Sequence, residues 1–140
     1  MATLLTAKAA ATVQAKGSLA ITSVTGIYTL TAALALNDII QMVKVPKGAT
    51  IQEVILSTAD LDGATPALVL SVGDGDDTAR FIAVNTVGQA GGLVRMDKHA
   101  GHGYQYAATD TIDVKVTTGP GTTPATTGTI TLTAVYSMDA

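Results

Sequence analysis

The chain has 140 residues, 47% of them hydrophobic and only 14% charged, with a formal net charge of -3. That length suits one domain, the apolar content excludes disorder along the whole chain, and the acidic balance removes the Lys/Arg excess needed to grip nucleic acid. Cysteine is absent, so disulfides, thiolate metal sites and thiol nucleophiles are excluded as well. No apolar stretch approaches the roughly 20 residues of a membrane span. The start, Met1 to Lys8, has no basic segment leading into an apolar one, as a secretory signal would. No membrane partner is expected, and synthesis in the cytoplasm is.

Residues 1–24 are rich in small side chains, with Leu4, Leu5 and Val13 among their few larger apolar ones. The Ala-rich part from Ala7 to Lys16 has helix propensity, but a lone helix of that length is marginal in water. The segment is expected to be an arm that orders against a partner, with the folded domain spanning 25–140.

From Ile27 onward, short runs of β-branched and apolar residues are separated by Gly, Pro, Asn and Asp, the pattern of strands joined by turns. Strands are expected at Tyr28–Leu36, Asp38–Val45, Thr50–Thr58, Ala67–Gly73, Gly92–Met96 and Tyr104–Ala107. Pro46-Lys47-Gly48 and Leu61-Asp62-Gly63 supply turn chemistry between them. The runs Ile39–Val43 and Val54–Leu56 are apolar on both faces and predict central strands, sandwiched or covered by a neighbouring subunit. Asp77 to Val84 suits one or two helical turns with an aspartate cap.

Ile112-Asp113-Val114-Lys115-Val116 alternates strictly, which puts Ile112, Val114 and Val116 on a core face and Asp113 and Lys115 in water. Thr117–Gly128 is a polar surface loop. Thr129–Tyr136 alternates again, with Ile130, Leu132, Ala134 and Tyr136 inward, and the more threonine-rich strands are expected at sheet edges. About eight short strands and almost no helix predict an all-β, antiparallel, jelly-roll-like β-sandwich.

Asp74, Asp76 and Asp77 crowd a glycine-rich turn, and a hard cation takes several oxygens from such a loop. The spacing lacks the alternate ligands and distal glutamate of a full calcium loop, so the favoured reading is a turn whose carboxylates bond nearby amides, with no metal. Asp60 and Asp62 would add ligands only if the fold joined the two loops. His99 and His102 stand three apart without a third ligand in view and read as surface histidines. No Gly-x-Ser-x-Gly elbow and no phosphate loop occurs, so neither an enzyme nor a cofactor is expected. Tyr104 and Tyr106 share one side of their strand and suit either a contact surface or the core.

The run Leu34-Ala35-Leu36-Asn37-Asp38-Ile39-Ile40-Gln41, followed by Val45-Pro46-Lys47-Gly48-Ala49-Thr50-Ile51, resembles phage capsid decoration (cement) proteins. Asp60–Gly63, Leu70–Asp76, Phe81-Ile82 and Thr86–Gly92 follow in the order of that group, and the resemblance covers residues 27–137. It implies a jelly-roll-like head protein with an N-terminal arm, placed on the outside of an assembled capsid and clamping the major capsid protein. It brings no catalytic residue. Leu4, Leu5, Val13, Tyr104 and Tyr106 are then candidates for the capsid contact, and uncharged strands suggest a homo-oligomer. The alternative is a virion adhesion or glycan-binding module. Glycan faces favour aromatic platforms, and this chain has no Trp, one Phe and four Tyr.

Overall fold

The period-two alternation is realised as nine strands in the computed structural model, which describes residues 2–6, 9 and 21–138. In chain order they are β1 (Thr3–Leu5), β2 (Ile21–Thr29), β3 (Ile39–Val45), β4 (Ala49–Thr58), β5 (Val69–Gly73), β6 (Ile82–Asn85), β7 (Gly92–Arg95), β8 (Asp110–Thr118) and β9 (Thr129–Met138). They form two sheets, ordered β1-β3-β8-β5-β6 and β2-β9-β4-β7. From β2 on, the strands pair outermost with outermost: β2 with β9, β3 with β8, β4 with β7 and β5 with β6, all antiparallel. That nesting is one long antiparallel ribbon rolled across two sheets, a jelly roll. The short β1 joins it parallel to β3, with Thr3 opposite Ile39.

The core lies between the sheets, and β-bulges explain how consecutive apolar residues both reach it. In β3 the register shifts between Gln41 and Val43, so Met42 and Val43 are both fully buried. A second shift, between Ile51 and Glu53, moves β4 from burying Ile51 to burying Val54 and Leu56. Both strands are interior to their sheets, as their two-faced apolarity predicts.

Several boundaries differ from expectation. β2 begins at Ile21 and ends at Thr29, so Ile21–Val24 belong to the sandwich, paired with β9 from Ser137 to Ala134. Gly26 obscures this strand in the sequence. It is needed because a Cβ there would lie 2.1 Å from the Met42 carbonyl oxygen of the facing sheet. Of the expected arm, residues 7, 8 and 10–20, Val13 among them, lie outside the described residues.

Beyond Thr29 the chain turns, while Leu30 and Leu34 fill the core without being in a strand. The helical turns expected over 77–84 are instead a turn followed by β6. Burial of Phe81 and Ile82 draws this segment onto β5, where the Phe81 amide donates to the Val72 carbonyl. The segment Tyr104–Ala107 is bonded to the start of β4, with the Tyr106 amide donating to the Ala49 carbonyl at 2.9 Å, but it makes only an isolated bridge. β9 is threonine-rich yet central, because an interior strand of a sandwich needs only its inner face apolar. Its inner residues Ile130, Leu132, Ala134 and Tyr136 are all buried.

Candidate functional site

The aspartate-rich turn after β5 folds back over the sheet, and its carboxylates serve the fold. Asp74, buried to 1% exposure, takes Arg80 Nε at 2.7 Å and Nη2 at 3.3 Å, the Tyr106 hydroxyl at 2.8 Å, and the amides of Asp76 and Asp77. Burial alone would push this carboxyl up, but the Arg80 guanidinium, the Asp77 amide and the Tyr106 hydroxyl together hold it below the usual range. Arg80 also lies 3.9 Å over the Tyr104 ring, which stacks edge-on to Tyr106 with centroids 4.9 Å apart. The result is a closed clip of acid, guanidinium and two tyrosines. Asp77 accepts the Ala79 amide as a local turn acceptor. Among the described residues, no group of three or more His, Asp or Glu side chains is placed to hold a metal ion.

The tyrosine pair is split by this arrangement. Tyr106 is 4% exposed and its hydroxyl is committed to Asp74, so it belongs to the core rather than to a contact surface. Tyr104 is half-buried at the surface end of the clip. In β1, Leu4 packs against the core while Leu5 is 50% exposed on the sheet edge. Thr6 closes this edge by donating its hydroxyl to the Met42 carbonyl. His99 and His102 border an open surface cleft with Gln52, Glu53 and Lys98.

Asp113 corrects a second expectation, since it is buried rather than wet. It sits in β8 between Gln41 and Gly73, and its carboxylate accepts the Thr111 hydroxyl at 2.7 Å. Burial pushes its pKa to about 7, against the pull of Thr111, with the Asp110 and Asp74 charges adding to the rise. The folded state therefore binds more protons than the unfolded chain between pH 3.8 and about 7, and stability falls as pH rises through that window. Asp113→Asn is expected to remove this slope. It should raise the melting temperature at pH 8, by about 1–2 kcal/mol of stability, and change little near pH 4. Thermal melts of both proteins at the two pH values check this, and an Asn variant less stable at pH 8 would contradict the assignment.

Sequence reasoning does not single out Arg80, nor the service of Asp62 as a loop clasp. Asp62 is 2% exposed and takes the amides of Ala67 at 2.7 Å, Leu68 at 2.8 Å and Gly121 at 2.9 Å, which ties the Thr117–Gly128 loop to the turn after β4. The signal at Asp62 was an acidic residue beside a glycine, which reads equally as a solvated turn, and Arg80 carries no local signal.

No family model matches the chain, and no curated protein matches it in sequence. Solved structures do. A chain in the capsid of Ralstonia phage GP4 superposes with a TM-score of 0.84 at 30% identity, covering 99% of this chain and 99% of that one. A chain of the cyanophage Pam1 capsid asymmetric unit shares the fold with a TM-score of 0.76 at 24% identity, over 91% and 94% of the two chains. One from the acid-stable capsid of Helicobacter pylori bacteriophage KHP30 does so at 0.52 and 17%, over 84% and 93%. The GP4 match marks the chain as a structural protein of phage particles. The chain belongs to the phage head protein family that includes the matched chain of the GP4 capsid.

Proposed function

We propose that this chain is a decoration, or cement, protein that binds the outside of an assembled phage capsid and holds neighbouring major capsid proteins together, without catalysing a reaction. The observation that carries the reading is the end-to-end match at 30% identity. A chain of nearly the same length stands in the GP4 capsid, matched over 99% of both chains, which fits a separate small sandwich rather than a domain of a larger chain. Charge supports the exterior. A chain of net charge -3 is repelled by packaged DNA phosphates, whereas an inward-facing protein gains from basic residues. The buried acids and the Arg80 clip are occupied by the fold, which leaves surface burial as the means of action. Leu5 on the β1 edge and Tyr104 at the clip, together with the N-terminal segment that precedes β2, are the proposed shell contacts.

The test is addition of the purified full-length chain to shells that lack it. It should co-sediment saturably with assembled shells and not with unassembled major capsid protein. Equal binding to both would refute a clamp that needs neighbouring subunits.

A further inference from the structure

The turn from Asp74 to Arg80 lies as a flap on the outer face of the β1-β3-β8-β5-β6 sheet. Its backbone rests directly on Gly73 of β5, where a Cβ would stand 2.0 Å from the Asp77 carbonyl oxygen and 2.5 Å from the Thr78 carbonyl carbon. Beside Gly73, the buried Ser71 donates its hydroxyl to the Thr78 carbonyl at 2.9 Å. Asp113 is the cross-strand neighbour of Gly73 and shares its outer face, because Ile112 and Val114 on either side of it fill the core. The flap thus packs beside a carboxyl group that is itself buried.

Charge around that carboxyl is mostly of its own sign. Asp110 on β8 and Asp74 at the root of the flap both act on it, and Asp76 and Asp77 add two more carboxylates to the flap. Arg80, the flap's one cation, is committed to Asp74, as is the Tyr106 hydroxyl. On β3 the residue opposite Asp113 is the uncharged Gln41. Lys44, opposite Thr111, and Lys115, two residues along β8, make no ion pair with it. Among the described residues, the Thr111 hydroxyl is the one hydrogen-bond donor to Asp113.

We propose that the flap is a proton-operated latch, closed on the sheet while Asp113 is protonated and lifted when Asp113 ionises. An ionised carboxylate needs water or a cation, and neither reaches Asp113 under the closed flap. Lifting the flap is the local route to water, because the ladders to β3 and β5 hold β8 in place on both sides. Ionisation also sets a further negative charge beside Asp74 and Asp110, which pushes the same way. The sign follows from the folded-state pKa of about 7: below it the proton stays and the closed flap is favoured, and above it the open flap gains. Asp74 stays ionised and paired throughout that range, since its own pKa is held low. The latch stands on the flap's packing and does not rest on the decoration reading.

Amide hydrogen exchange of the full chain at pH 5.5 and pH 8.5, expressed as protection relative to the intrinsic rate at each pH, tests it. The flap amides of Asp77, Arg80 and Phe81, bonded to Asp74, Asp77 and Val72, should lose about tenfold or more in protection at the higher pH. Dilute urea should not speed their exchange, because lifting a seven-residue flap exposes little surface. Asp113→Asn should keep the flap protected at both pH values. Protection that does not change with pH overturns the latch, as does exchange that rises with urea or the same loss in Asp113→Asn. Should that variant not fold, NMR titration of the wild type decides. The Asp113 carboxyl carbon and the Thr78 amide should shift with one midpoint near pH 7, and separate midpoints overturn the latch.

Discussion

Asp74→Ala is expected to cost about 3–5 kcal/mol, because it removes one partner of a buried ion pair and leaves the other charge in place. Arg80 would keep its guanidinium at 14% side-chain exposure over the Tyr104 ring, and the Tyr106 hydroxyl would lose its acceptor inside the core. The amides of Asp76 and Asp77 lose theirs too, so the turn that covers β5 loosens together with the clip. For a domain of this length, the melting temperature should fall by roughly 10–15 °C. Arg80→Met alone should cost less, since Asp74 keeps Tyr106 and the amides. The pair changed together, to Ala and Met, should cost less than the two single changes added. Chemical denaturation of the four proteins measures the coupling, and additive single effects would show that the clip does not act as a unit. The contribution of Asp74 is present above pH 3.8 and is lost as pH falls below it, because its folded pKa is depressed.

Asp62→Ala should cost about 2–4 kcal/mol through a different route. Here no cation is involved, and the carboxylate is held by backbone amides of Ala67, Leu68 and Gly121. Burial raises its pKa, but these amides and that of Gly63 bring it below the usual range. Removing the carboxylate strands three donors, each costing about 1 kcal/mol or more when left unpaired. Asp62→Asn should fall between, because its single carbonyl oxygen serves Ala67 and Leu68 while its amide group faces a donor at Gly121. Amide hydrogen exchange localises the effect. Protection should drop at Leu68 and Gly121 while the centre of β9 stays protected, and a uniform loss would mean that the clasp is part of the global core instead.

The fold was legible in the sequence wherever one periodicity ruled a segment. The alternation at Ile112–Val116 and Thr129–Tyr136 predicts β8 and β9 and their inner faces, and the two-faced apolar runs predict interior strands. The signal failed where a long-range contact decides a local conformation. Gly26 reads as a break, and only the approach of the Met42 carbonyl shows that it belongs inside a strand. Asp77–Val84 reads as a helical start because its capping aspartate is local, whereas burial of Phe81 against β5 and the Asp74–Arg80 bond depend on the tertiary fold. The candidate site was legible as a list of residues rather than as an arrangement. Tyr104 and Tyr106 look equivalent by alternation, and the position of Asp74 beneath one of them separates core from surface.

The rupture temperature of capsid shells with and without bound protein tests the central claim most directly. A ligand that binds only the assembled state stabilises it by about 2.7 kcal/mol per site at a hundredfold excess over Kd. Shells reconstituted with this chain should therefore open at a higher temperature than bare ones, with the gain rising to a plateau as sites fill. Saturable binding with no change in rupture temperature would contradict a cementing role.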